Sequence, residues 1–196
     1  MRILKLQIQI SIDGYIADMN EQTDWMVWSW GEDWSWDDKL KKYFNELTAS
    51  VDCVLLSRKM AEEGFIDHWA SMAEKPGNPQ ADFARGITNA HKVVFSKTLS
   101  ASRWNNAEIA GGDLASEVNN LKAQDGKDII VYGGATFVSA LIKAGLVDEF
   151  YLFINPSMLG SGRTIFKEIQ QKQNVRLKEA IGFECGVAVL RYELAE

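Results

Sequence analysis

The stretch Val131-Tyr132-Gly133-Gly134-Ala135-Thr136-Phe137 (VYGGATF) decides how this chain is read. It joins the apolar run at 128–132 (DIIVY), with the β-branched content of a buried strand, to the run at 136–145 (TFVSALIKAG), with helical spacing and a closing glycine. Two glycines at a strand-to-helix junction have two readings. They form a tight turn, or they let the backbone approach an anion held by the amides of the helix's first turn. A bare pair favours the turn.

The surrounding sequence repeats the strand–helix pattern. From Leu4 to Ile12 every even position is apolar, while Lys5, Gln7, Gln9 and Ser11 fill the odd ones. That period of two predicts a strand with one face in the core, and Asp13-Gly14 turns it. Further strands are expected at 51–57 (VDCVLLS), 92–96 (KVVFS) and 147–156 (VDEFYLFINP), the last apolar on both faces and so central in its sheet. Helices are expected at 38–48, where Leu40, Tyr43, Phe44 and Leu47 share a face, and at 58–65, 81–89 and 113–124. His68 and Trp69 fall after the second of these as packing or cleft-rim residues. SMLGSGRTIF (157–166) reads as a loop leading into a short helix, and GFECG (182–186) as the turn of a C-terminal antiparallel hairpin. The alternation predicts one α/β domain over 1–196 with a mostly parallel sheet.

Composition narrows the function. A 46% hydrophobic, 24% charged chain of 196 residues is an ordinary globular protein. Its net charge of -6 argues against a nucleic-acid surface. Two histidines and two widely spaced cysteines, Cys53 and Cys185, give no metal-ligand pattern, and reduced cysteines with no signal-like or membrane-length apolar block suggest a cytoplasmic protein. No nucleophile motif supports hydrolysis.

Two more strand ends change the weight of the glycine pair. Ser57-Arg58-Lys59 follows the second strand and Ser96-Lys97-Thr98 the third. Ligands of open α/β sheets bind at the carboxyl ends of strands. Basic residues, small hydroxyls and glycine amides gathered there in an acidic protein point to a phosphorylated nucleotide. Taken singly, each is a solvated loop charge.

The blocks SIDGYIA (11–17), DW (24–25), LLSRK (55–59), KVVFSKTL (92–99) and VYGGATFVSALIKAGLVDEFYLFINPSMLGSGRTIF (131–166) occur in an order that resembles the dihydrofolate reductase-like superfamily. The bacterial branch similar to the riboflavin-biosynthesis reductase domain matches best, over nearly the whole chain. The resemblance implies a three-layer α/β/α fold and an NADPH-dependent reductase of a pterin-like or pyrimidine-like heterocycle. Gly133, Gly134, Ala135 and Thr136 would lie under the cofactor pyrophosphate, with Phe137 beside them. Ser57, Arg58, Lys59, Ser96, Lys97 and Thr98 would surround the 2′-phosphate, and Ile16 and Ala17 would touch the nicotinamide. The family often has Gly where this chain has Ser57 and Thr where it has Met60. EEGFIDHWASM replaces the D-D-P-x-L-T type of stretch found in riboflavin-pathway reductase domains. Reduction of the riboflavin-pathway aminopyrimidine, and a non-catalytic protein that binds a nucleotide or planar ligand, are the alternatives.

On the substrate side, Asp38 is the candidate acid, near the position where dihydrofolate reductases anchor the pterin. Asp37 and Asp38 also fit as the cap and first-turn acid of a helix. Gln9, Ser11 and Asp13, on or just past the polar face of the first strand, are candidate substrate contacts, the plainer readings being an exposed strand face and an Asp-Gly turn. Five of the seven tryptophans lie at 25–36. The family has a lid there, and Trp25 matches its D-W; the cluster reads equally as local packing or as a dimer contact. That cluster and the apolar 150–154 strand suggest a homodimer.

Overall fold

The computed structural model describes residues 1–195. Eight strands and six helices follow in the order β1 (Leu4–Ile10), α1 (Asp38–Ala49), β2 (Val51–Ser57), α2 (Arg58–Glu62), α3 (Phe65–Glu74), α4 (Ala81–Asn89), β3 (His91–Phe95), β4 (Ala107–Ala110), α5 (Leu114–Ala123), β5 (Asp128–Val131), α6 (Ala135–Lys143), β6 (Glu149–Ile154), β7 (Val175–Gly182) and β8 (Ala188–Leu194). The strands hydrogen-bond in the order β4-β3-β2-β5-β1-β6-β8-β7. Pairing is parallel from β4 to β2, between β2 and β5, and between β1 and β6, and antiparallel in the final β6-β8-β7 meander. This is the expected mostly parallel α/β sheet with a C-terminal hairpin. No helix among the described residues is long and apolar enough to cross a membrane.

The chain divides into two compact units. Unit 1 comprises Met1–Leu4 and Lys42–Gly134; unit 2 comprises Lys5–Lys41 and the chain from Ala135 onward. In unit 1 the core is aromatic. Phe83 of α4 meets Phe44 at 4.7 Å and the Trp69 ring of α3 edge-on at 4.6 Å. Trp69 and His68 lie inside α3 rather than beyond a helix, because Gly64, at φ 99, breaks the expected 58–65 helix and restarts it. Ser57 caps α2 by accepting from Met60 N, and Asp113 caps α5 by accepting from Ser116 N. Lys92 of β3 is buried and donates to the Ile87 and Thr88 carbonyls near the end of α4. Burial pushes its amine down to about 8.

In unit 2 the odd face of β1 departs from expectation. Gln7 and Gln9 are 3% and 4% exposed, so the strand is buried on both sides. The cover is the tryptophan-rich segment. Trp28, Trp34 and Trp36 are buried, with Trp28 4.7 Å from Trp36 and 5.8 Å from Trp34, and Trp36 stacked on Phe153 at 5.5 Å. The local-packing reading of these tryptophans therefore accounts for three of them. Phe150, Tyr151 and Phe153 are likewise buried, while Leu152 and Ile154 of the same strand are half-buried. The short helix expected after 166 is absent: residues 167–174 form turns and bends, and β7 begins at Val175.

Candidate cofactor and substrate residues

At the end of β5 the chain enters Gly133-Gly134 and then α6. Gly134 has φ +74, and a Cβ there would lie 2.8 Å from Ser57 Oγ. The left-handed backbone and the approach of Ser57 both require glycine at 134. Gly134 is exposed, so its peptide faces solvent at the start of a nine-residue helix. Ser57, whose side chain departs from the family's usual glycine, is thus both the cap of α2 and the neighbour that fixes residue 134.

The basic residues of unit 1 are more engaged than their positions in sequence imply. Arg58 and Lys59 are the first two residues of α2, not a loop, and pair with Glu62 at 3.0 Å and Glu63 at 3.6 Å one turn on. Such exposed pairs are weak and exchange readily for a better anion. Lys97 Nζ donates to the Gly111 and Gly112 carbonyls at 2.9 and 2.6 Å, so its ammonium ties the start of the β3–β4 connection to the turn between β4 and α5. Ser96 Oγ accepts from Thr98 N and Leu99 N, an ordinary hydroxyl turn that shapes the same loop.

In unit 2, Ile16 and Ala17 run antiparallel to Arg163: Ile16 N donates to Arg163 O at 2.8 Å and Arg163 N to Ala17 O at 2.9 Å. Gly162, at φ +155, has no room for a Cβ because the Ala17 carbonyl occupies it. This contact gives the L-G-x-G element its second glycine. Beside it lies a cavity of about 550 Å³ whose lining includes Asp18, Glu21, Thr136, Lys143, Arg163 and Lys167. Arg163 pairs with Glu21 at 2.8 Å across its rim. Ala135 and Thr136 were expected from sequence; Arg163 and the 18–21 segment were not, since only the folded chain brings residues 17 and 163 together.

The four expected substrate contacts are largely consumed in holding the 11–36 segment. Gln9 Nε2 donates to Trp28 O at 2.9 Å while its Oε1 accepts from Asn155 Nδ2 at 3.2 Å. Ser11 Oγ donates to Asp13 at 2.6 Å and accepts from Tyr15 N. Asp13 also accepts from Leu159 N and Gly160 N, and these donors, the Ser11 hydroxyl first, hold its carboxyl down to about 2. Trp25 keeps a half-exposed ring, its Nε1 bonded to Gln22 O. Asp38, the candidate acid, is the first residue of α1. Its carboxylate is fully exposed and sits 3.5 Å from Lys41, a surface ion pair. The cap is Asp37, which accepts from Lys39 N and Leu40 N and, from the hairpin turn, Cys185 N. Burial opposes ionisation of Asp37 but these donors outweigh it, so its carboxyl lies below the usual range.

The strand order, the hairpin, and a glycine pair opening α6 define a protein of the dihydrofolate reductase-like fold. Within that class, the RibD C-terminal domain model matches residues 2–189, and the chain belongs to that family, whose members are reductases. It is 31% identical to the uncharacterized protein YyaP of Bacillus subtilis over 97% of this chain and 94% of that one. Among solved structures it is similar to a Shewanella sp. PV-4 protein whose name attaches it to riboflavin biosynthesis (TM-score 0.74, 19% identity, 99% of both chains). It is also similar to the deaminase/5-amino-6-(5-phosphoribosylamino)uracil reductase of Thermotoga maritima (TM-score 0.66, 18% identity). That match takes in 99% of this chain and 57% of the bifunctional one. At these identities the solved structures establish the fold.

Proposed function

We propose that this chain is an NADPH-dependent reductase of a pterin-like or pyrimidine-like heterocycle, acting as a single domain. The observation that carries the reading is Gly134, left-handed and exposed between β5 and the start of α6, where an added Cβ has no room. Backbone amides at such a helix start are suited to a pyrophosphate. In unit 1, Arg58 and Lys59 supply the exposed cations that a 2′-phosphate requires, with Ser57, Ser96 and Thr98 as hydroxyl neighbours. Lys97 contributes charge while tethered to Gly111 and Gly112. In unit 2, Thr136 and Phe137 continue the helix start, and Ile16 and Ala17 present a small apolar edge suited to a nicotinamide ring.

NADPH supplies a hydride when bound. The chain's own part is to orient the two rings and exclude water. Ile16 and Ala17 are held by Arg163, and the 25–36 segment is held through Gln9, Asn155 and Ser157, so both are positioned before any ligand arrives. The riboflavin-pathway aminopyrimidine is one form of this substrate class. The protein is read as cytoplasmic, in keeping with two free cysteines, and as a homodimer. Support for pairing comes from β7, an edge strand with Val175 and Leu177 exposed. Sedimentation at micromolar concentration tests it, and a purely monomeric species would remove it. The reductase reading is tested by following oxidation of NADPH against a panel of oxidised pterins and pyrimidines. Turnover of at least one is expected; NADPH that binds and never oxidises would support the binding-protein alternative.

A further inference from the structure

We infer that the face of the β6-β8-β7 meander carrying Leu152, Leu190 and Ala180 is where two copies of the chain meet, sheet on sheet, about a two-fold axis running along that row. The inference rests on the homodimer reading and gives it a surface, a broad sheet face rather than the β7 edge. All of its parts lie in unit 2.

Register lays the face out in three rows across β6, β8 and β7. They are Phe150–Tyr192–Leu177, Leu152–Leu190–Ala180 and Ile154–Ala188–Gly182. Residues directly opposite on paired strands share a face. None of these nine is charged. Exposure grows toward the edge: Phe150 is buried, Leu152, Leu190 and Tyr192 are half-buried, and Leu177 is 51% exposed. The charges of the meander belong to the other face, where they satisfy one another. Glu149 pairs with Arg191 at 2.6 Å, and Glu193 pairs with Arg176. Lys178 sits at the bulge between Leu177 and Glu179, and its ammonium reaches Glu193 on that charged face at 3.0 Å. An antiparallel sheet with one face in water ordinarily turns its polar side chains to that face. Here the open rows are apolar, which is the mark of a contact surface.

Two observations make the occupant a second copy. The first is charge. Copies with a net charge of -6 repel each other, so they can meet only where charge is missing, as it is along these rows. In an isologous contact a charged residue on the axis would face its own counterpart, and the middle row carries none. The second is shape. Tyr192 and Leu177 stand at one end of the face, Ala188 and Gly182 at the other, with Leu152–Leu190–Ala180 midway. A two-fold along the middle row reverses the strand direction. It sets Tyr192 of one copy over Ala188 of the other and Leu177 over Gly182, so large meets small at both ends. Leu152 and Leu190 meet their own counterparts on the axis. Sheets stacked face to face lie about 10 Å apart, a gap that such side chains fill.

Sedimentation velocity across the micromolar range tests this on wild type, Leu190→Glu, Leu190→Arg and Leu177→Glu, each checked for folding by its urea transition. Wild type is expected at twice the chain mass. Leu190→Glu removes two buried leucines and sets two carboxylates against each other, so its dimer should dissociate at least about a hundredfold more readily. Leu190→Arg should behave likewise. Mixed in equal amounts, the two variants should recover a dimer within about tenfold of wild-type affinity, because the axis then sets Glu against Arg. Leu177→Glu lies at an exposed position, serves if residue 190 tolerates no charge, and should weaken pairing about tenfold. A dimer unmoved by Leu190→Glu, one strand in from the edge, would overturn this face and leave pairing through the β7 edge standing. A dimer unmoved by Leu177→Glu would overturn the face as well. Loss of pairing in both charged variants with no recovery on mixing would overturn the two-fold along this row. A monomeric wild type would remove the homodimer reading and this surface with it.

Discussion

Replacing Gly134 with alanine tests the strand-end geometry most sharply. A residue with a Cβ pays about 1–2 kcal/mol to hold the left-handed conformation that Gly134 adopts at φ +74. The new Cβ also lies 2.8 Å from Ser57 Oγ, closer than real contacts come. Ser57 must then leave its rotamer, costing about 0.5–1.5 kcal/mol, and give up its bond to Met60 N, a cap contact of about 1 kcal/mol. The total is about 2.5–4.5 kcal/mol, measurable as a lower urea midpoint at constant slope. Ser57→Ala alone should cost about 1 kcal/mol. In that background only the conformational cost of Gly134→Ala remains, since the residue 57 Cβ stands at an ordinary 3.4 Å. The two substitutions should therefore couple favourably by about 1.5–2.5 kcal/mol. Strict additivity, or a Gly134→Ala protein within about 0.5 kcal/mol of wild type, would refute the geometry.

Arg58→Ala with Lys59→Ala should lower NADPH affinity at least about tenfold and leave NADH affinity unchanged, because only NADPH offers the 2′-phosphate; equal losses for both would remove the assignment. Lys92 keeps its proton in the unfolded chain to about 10.5 but loses it near 8 when folded, so the unfolded state binds more protons between these values and stability should rise with pH across that window. Lys92→Met should flatten this slope in urea titrations. Asp13 behaves oppositely: its carboxyl is lowered to about 2 from 3.8, so its stabilisation is complete above about pH 4 and fades as pH falls through 2. The Leu159 and Gly160 amide resonances should titrate with a midpoint near 2, and Asp13→Asn should abolish that titration.

What the sequence revealed depended on whether the cause was local. The β1 alternation and the glycine junction at 133–134 are set by neighbouring residues, and each was legible. The burial of Gln7 and Gln9 was not, because their cover is an irregular segment with no period to read. β4 is four residues with a charge among them, too short to stand out from its loop. Asp38 and Asp37 are chemically identical in sequence; only the folded backbone turns one to the amides of α1 and the other to solvent. Gly162 and Arg163 acquire meaning from Ala17, some 145 residues earlier in the chain.

A calorimetric titration of the purified protein with NADPH and, separately, with NADH tests the central claim most directly. Saturable NADPH binding is expected with at least about tenfold weaker NADH binding, a difference of about 1.4 kcal/mol or more. No heat from either nucleotide, in a protein that is folded by its urea transition, would contradict it.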